Sequence, residues 1–318
     1  MATLNPSKFD VTPEQQASIP RFMYQQLTFK PEAITDIDLK GKTAIVTGSN
    51  TGVGFETARQ LLDLGVSKLI LAVRNEEKGA AAKVKLSEGR GLPKDGTGTT
   101  IEVWKLDLSD YDTVVSFAAR AEKELSTLDI AILNAGVLSL SQSFNKNTGH
   151  DEVIQVNYLS TALLTILLLP VFKSKRASQS GPSRMSIVSS EVAGWTNFKE
   201  SKPLPSSILG ALDDKSAKVD MTDRMMVSKL LQHFFLVELA KIVPASLVQI
   251  NAVSPGTVYG TEFDRDRTGL SGAIFQVMKK RLANPPPVGA RMITDAAVRH
   301  GEDVHGEFLS FQKMVPSV

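Results

Sequence analysis

Short, uniformly apolar runs alternate along this chain with longer segments whose apolar positions recur at helical spacing, and that alternation predicts its elements. Residues 42–46, Lys-Thr-Ala-Ile-Val, read as a buried strand, and Phe55, Ala58, Leu61, Leu62 and Leu64 mark a helix that Gly65 stops. Further strands are expected over 68–73, 101–106, 128–133, 184–188, 247–253 and 307–311, and further helices over 75–88 and 223–243. Thr148-Gly149-His150-Asp151 resembles a capping box at the head of a helix reaching about Leu169. That helix is apolar nearly all round, so it is expected to lie against the sheet and to offer a face to a second subunit. Strand and helix taking turns six or seven times define the fold class as α/β, a doubly wound, mostly parallel sheet with helices on both faces.

Residues 1–40 fall outside this pattern. Prolines at 6, 13, 20 and 31 predict an irregular extension with a short helix near 22–27, whose aromatics Phe22, Tyr24 and Phe29 pack onto the main domain. The remainder, 41–318, reads as one domain with substrate-side insertions at 195–222 and 259–300. A chain of 318 residues with 42% hydrophobic content can bury one substantial core. Its net charge of +2 provides no basic field, which argues against nucleic acid as a partner. The absence of cysteine excludes disulfides, thiolate metal sites and thiol catalysis, and fits a reducing, cytoplasmic location. The apolar stretch 162–172 is too short for a membrane span and contains Pro170. His150, His233, His300 and His305 form no ligand spacing, so no metal is expected.

Candidate chemistry begins where the first strand meets the first long helix, at Thr47-Gly48-Ser49-Asn50-Thr51-Gly52-Val53-Gly54. Glycines there allow a tight turn and a close approach of backbone to a pyrophosphate, whose charge is met by the open N–H groups and positive dipole end of the helix. Such a strand–glycine loop–helix unit points to a dinucleotide and a Rossmann-type fold. The second strand ends in Val73-Arg74 where an acidic residue would bind the ribose hydroxyls of NAD; a guanidinium suits the 2'-phosphate of NADP, unless Arg74 only pairs with Glu76 or Glu77. The fourth strand runs into Asn134-Ala135-Gly136, small residues that let a cofactor lie near the strand ends.

The spacing Thr-Gly-x-x-x-Gly-x-Gly, Asn134-Ala135-Gly136, Asn157, Ser190, Lys229 and Pro255-Gly256, in this order and at these strand ends, resembles the short-chain dehydrogenase/reductase family over about residues 42–312. The layout looks most like the retinol-dehydrogenase-like branch and its fungal secondary-metabolism relatives. The resemblance implies NADP(H) as cofactor, bound by Gly48, Asn50, Thr51, Gly52, Val53, Gly54 and Arg74. It also implies that Asp107 and Leu108 border the adenine, that Asn134, Ala135 and Gly136 line the cofactor, and that Pro255, Gly256 and Val258 dock the carboxamide. Asp107 or Ser109 is alternatively the cap of the next helix. By the same resemblance Ser190 hydrogen-bonds the reacting oxygen, Lys229 holds the nicotinamide ribose, and Asn157 holds a water near that lysine.

One element departs from the family. Its Tyr-x-x-x-Lys pair puts both side chains on one helix face, where the lysine lowers the phenol pKa, but four residues before Lys229 stands Met225. Methionine has no proton to give. General acid–base help is typically worth about 10² to 10⁴ in rate, so ordinary ketone reduction should be severely impaired. Glu191, Tyr259 and Glu262 are candidate replacement donors. Three readings follow: a reductase of carbonyl or iminium groups with a non-standard site, a non-redox isomerase or cyclase that uses the pocket with bound cofactor, or a disabled or engineered NADP-binding protein. A second departure puts Thr261 one place later than the family threonine. Trp195 and Phe198 in the first insertion suggest a medium-sized apolar or polyketide-like substrate, and the long helices suggest a homodimer.

Overall fold

The computed structural model describes residues 9–91, 98–202, 207–260 and 280–317. In chain order these form α1 (Pro13–Gln16), α2 (Ile19–Thr28), β1 (Thr43–Thr47), α3 (Gly52–Asp63), β2 (Lys68–Val73), α4 (Glu76–Ser87), β3 (Thr100–Lys105), α5 (Tyr111–Glu124) and β4 (Ile130–Leu133). There follow α6 (Glu152–Ile154), α7 (Ser160–Lys175), β5 (Ser183–Val188), α8 (Ile208–Leu212), α9 (Met221–Ile242), β6 (Val248–Val253), α10 (Pro286–Val298), β7 (Phe308–Ser310) and β8 (Lys313–Val315).

The strands pair in the order β3-β2-β1-β4-β5-β6-β7-β8. All pairs are parallel except the last, a hairpin in which β8 runs antiparallel to β7. Because side chains alternate across a strand, neighbouring residues supply two separate cores. Ile45, Ile70, Trp104, Ala131, Met185 and Ile250 face α5, α7 and α9. Ala44, Val46, Leu69, Leu71, Ile132 and Val253 face α3, α4 and α10. The expected doubly wound architecture is therefore present, with its strand order reversing between β1 and β4; in open α/β sheets that crevice is where ligands bind.

Several local expectations need correction. The cap of the long helix is Asp151, whose carboxylate accepts from the Val153 and Ile154 amides, and not the Thr148 box. The helix does not stop near Leu169 either: Pro170 lies inside α7, on its exposed side, where water can satisfy the carbonyl that proline leaves free. The continuous helical segment 152–178 is thus long and apolar enough to cross a membrane by length and composition, but 56% of its apolar window is buried within the protein, as in a core helix. Helix α5 is capped by Asp110, neither Asp107 nor Ser109. The segment 286–298 is no substrate-side insertion: it is α10, whose Ile293, Ala296 and Ala297 fill the core beside α3. Residues 261–279, including Glu262 and Thr261, lie outside the described residues.

The amino-terminal extension packs onto the main body. Phe22 meets Trp195 edge-on, 5.2 Å between centroids, and Phe22 and Phe29 both contact Phe311, while Tyr24 stays exposed. The helix reaches the end of β6 as well: the Gln26 side chain accepts from Thr257 N–H at 2.9 Å and donates to Thr257 C=O at 3.2 Å.

Candidate active site

The loop between β1 and α3 is shaped by what lies against it. Gly48 sits at φ +65 with its α-carbon against Ala135, and a β-carbon at Gly54 would stand 2.4 Å from the Asn134 amide nitrogen and 2.6 Å from the Gly48 oxygen. Only glycine fits that second position. The Asn134 amide donates to Thr47 C=O at 2.9 Å, and the Thr47 hydroxyl accepts from Ala135 N–H at 2.9 Å, so the β4 and β1 ends are tied together. Whereas α4, α5 and α9 are each capped by a side chain at their N-termini, Thr51 makes no such bond to α3. The amides of Val53 and Gly54 therefore remain for a ligand, which is the arrangement an anion needs. This uncapped, cramped loop fits a dinucleotide pyrophosphate.

Around the loop, the Arg74 side chain is exposed and pairs with neither Glu76 nor Glu77 among the described residues; Asn75 instead caps α4. The Asp107 carboxylate accepts from the amide and hydroxyl of Ser109, and Leu108 is buried with its carbonyl taken by Ser160 Oγ at 2.5 Å. Asp107 and Leu108 thus flank the end of β3 one strand away from Arg74.

Deeper in, Gly136, Asn157 and Lys229 converge: a β-carbon at Gly136 would lie 3.2 Å from Asn157 Oδ1 and 3.9 Å from Lys229 Nζ. Between α6 and α7 the chain makes one π-turn, Gln155–Leu159, a device frequent at functional sites. The Asn157 side chain is fully engaged, accepting from Val137 N–H at 2.8 Å and donating to Val137 C=O at 3.0 Å and Ser228 Oγ at 3.1 Å. Its carbonyl, released by the π-turn, accepts from Gln232 Nε2 at 2.6 Å. The side-chain and main-chain oxygens of Asn157 each accept one protein donor.

Lys229 is buried and donates to Val188 C=O at 2.8 Å, next to the Ser189-Ser190 end of β5. Burial lowers its pKa from 10.5 to about 8. One turn further along α9, buried His233 is pushed down to about 3, by burial first and then by the Lys229 charge. Ser190 caps the turn Glu191–Trp195, its hydroxyl accepting from Val192 N–H at 3.4 Å. Pro255 and Gly256 follow β6, with Gly256 at φ +66; Val258 is buried and bridges to Asn284.

Met225 is half-buried on the same face of α9 as Lys229. One of its suggested substitutes, Glu191, is engaged elsewhere. Both Glu191 oxygens accept hydroxyls, from Ser254 and Ser310, and the carboxyl is buried beneath the site. Glu262 lies outside the described residues. Tyr158 packs with Val227 and Leu231, on the side of α9 away from Lys229, so its phenol is no replacement. Tyr259 stands beside the Val258–Asn284 bridge, its N–H donating to Asn284 C=O at 3.1 Å.

The first insertion is fastened to α9 by charges that spacing does not reveal. Arg224, adjacent to Met225 and completely buried, lies 3.7 Å from Asp151 and 3.5 Å from Glu200, while Thr196 Oγ1 donates to Asp223 at 2.7 Å. Phe198 adopts a left-handed φ of 39 in this wall, a strained conformation for an aromatic residue. Gln26, Gln232 and Arg224 were missed from sequence because each acts on a residue remote along the chain. Among the described residues no cluster of three or more acidic, histidine or cysteine side chains is placed to hold a metal.

A doubly wound sheet with an uncapped glycine loop at its switch point, and a buried lysine on α9 whose Nζ reaches the end of β5 next to a serine, defines a nicotinamide-dinucleotide oxidoreductase. The short chain dehydrogenase family model matches residues 42–194. The chain is 46% identical over 314 residues to the short-chain dehydrogenase fogG of Aspergillus ruber, covering 97% of this chain and 88% of that protein. It is 42% identical over 301 residues to the short chain dehydrogenase/reductase mfmJ of Annulohypoxylon moriforme, covering 93% and 83%. Among solved structures, a 3-oxoacyl (acyl-carrier-protein) reductase from Agrobacterium tumefaciens with NADP bound aligns over 86% of this chain and 93% of its own, with TM-score 0.61 at 21% identity, a likeness of fold. The chain belongs to the short-chain dehydrogenase/reductase family and is an NAD(P)-binding oxidoreductase.

Proposed function

We propose that this enzyme uses NADP(H) to reduce a carbonyl or, preferentially, a C=N⁺ carbon in a medium-sized apolar natural product of secondary metabolism. The observation that carries the preference is Met225: the position facing the reacting group beside Lys229 offers no acid. A bound nicotinamide supplies the hydride. Reduction of a ketone leaves an alkoxide that needs a proton, whereas reduction of an iminium carbon yields a neutral amine and needs none. Ser190 can still orient a substrate heteroatom, and Lys229 can still bind the ribose. Arg74, exposed and without an ion pair among the described residues, suits the 2'-phosphate. The apolar wall of Trp195, Phe198 and Ile208 suits a hydrophobic body. We further propose a homodimer through the long helices, whose Ile166 and Phe234 are exposed; light scattering across a concentration series tests it.

The deciding experiment is titration with NADPH and NADH, for the protein and Arg74→Ala, followed by single-turnover mixing with matched iminium and ketone substrates under nicotinamide absorbance. The expected result is tighter NADPH than NADH binding, lost on Arg74→Ala, with cofactor oxidation by the iminium. Products formed without a change in absorbance would replace this reading with an isomerase or cyclase. Binding of neither cofactor would remove it.

A further inference from the structure

We propose that Glu191 is a positioning residue: its carboxylate locks the turn that carries Ser190 to the Pro255-Gly256 loop and to the carboxyl-terminal hairpin, so that one buried group sets two walls of the site. The inference rests on the cofactor-binding reading above, and it gives Glu191 a task other than proton donation.

The geometry is specific. Glu191 is the first residue of the turn after Ser190 and is 4% exposed. One oxygen, Oε2, accepts from the Ser254 hydroxyl, and Ser254 Oγ in turn accepts from Gly256 N–H at 3.0 Å. The other, Oε1, accepts from the Ser310 hydroxyl at 2.6 Å. Ser254 and Ser310 are both buried. The carboxylate therefore joins the ends of β5, β6 and β7, three adjacent strands.

Each link bears on function. Anchoring Glu191 fixes the rotation of a turn whose first amides bend back on Ser190, and so fixes the Ser190 hydroxyl. Through Ser254 the same group holds Gly256, which adopts φ +66, while Gln26 grips the next residue, Thr257. The loop assigned to the carboxamide is thus held both by Glu191 and by the amino-terminal helix.

No cation pairs with Glu191 among the described residues, and burial pushes its carboxyl above the usual range although both serines pull it down. A buried carboxylate without a cation gives up stability compared with a packed apolar side chain. What it provides is two directed acceptors at once, which an apolar residue cannot supply and an amide oxygen supplies only in part.

Glu191→Ala, Glu191→Gln and Ser310→Ala test this against simple packing. Among the described residues the Ser310 side chain is linked to the site through Glu191, so its substitution separates positioning from direct contact. The readouts are NADPH Kd by fluorescence titration, kcat and KM, and melting temperature. Expected are an NADPH Kd raised about tenfold or more and a lowered kcat for Glu191→Ala, with a large part recovered by Glu191→Gln. Ser310→Ala should raise Kd severalfold, an effect absent when Glu191 is already alanine. The proposal is overturned if folded Ser310→Ala shows wild-type Kd and kcat/KM with only a lower melting temperature. It is equally overturned if Glu191→Gln binds NADPH no better than Glu191→Ala. Should Glu191→Ala fail to fold, Ser310→Ala alone decides. A wild-type protein that binds neither nicotinamide cofactor refutes the underlying reading before any variant is made.

Discussion

At the scale of single residues the chemistry turns on Met225 and its environment. A thioether where an acid would stand leaves Lys229 as the nearest ionisable group on that face of α9, and burial holds its pKa near 8. Restoring the phenol with Met225→Tyr places it one turn from Lys229, where the ammonium lowers its pKa. Ketone reduction should rise by about 10² to 10⁴, read as NADPH oxidation with a ketone, while iminium reduction changes little. A variant inactive on ketones despite unchanged NADPH affinity would show that Met225 is not what limits this site. The methionine at 225, four residues before Lys229, was plain from the sequence, as were Gly54 and Asn134, because motif spacing alone brings them into view. The engagement of Asn157 by Val137, Ser228 and Gln232 was not, since those partners come from the β4 end and from α9, both remote along the chain.

At the scale of elements, the site is held by contacts between segments far apart in the chain. Helix α2 reaches Thr257 through two hydrogen bonds from a single amide, and each such bond is worth about 0.5–1.5 kcal/mol net. Gln26→Ala should therefore weaken NADPH binding severalfold and cost roughly 1–3 kcal/mol in denaturant unfolding; unchanged affinity would mean that the loop keeps its shape without the clamp. Helix α9 is tied to the insertion through Arg224. Removing that guanidinium leaves Asp151, fully buried, and Glu200 without their cation. Arg224→Leu should lose about 3–5 kcal/mol, the usual cost of breaking a buried pair from one side. If urea midpoints of the variant and parent coincide, the network is held by caps and packing instead. The periodicities located nearly every element, but the cap at Asp151, the π-turn and the continuation past Pro170 depended on which side of the helix faces solvent.

At the scale of the whole molecule, the buried lysine makes stability depend on pH. The Lys229 pKa falls from 10.5 to about 8 on folding, so the folded state favours the neutral amine. The associated stability is complete above pH 10.5 and is lost as pH falls toward 8. Lys229→Met lacks this dependence. Its melting temperature should exceed that of the parent at pH 7, with the gap closing between pH 8 and 10.5, while NADPH binding falls. Parallel melting curves across that interval would show that Lys229 keeps an ordinary pKa in the fold. His233 has a window of its own, from 6.5 down to about 3, and does not overlap this one.

Local pattern was sufficient for the type of most elements, the glycine loop at the β1–α3 junction and the doubly wound class. Each depends on residues adjacent in sequence, where strand alternation, helical period and the conformational freedom of glycine act directly. The antiparallel β8, the place of α10 in the core, the grip of Gln26 on Thr257 and the Glu191–Ser254–Ser310 junction were settled only by folding. These depend on which strand ends become neighbours, and burial then makes a distant hydroxyl or amide the obligatory partner of a polar group that would otherwise be left unsatisfied.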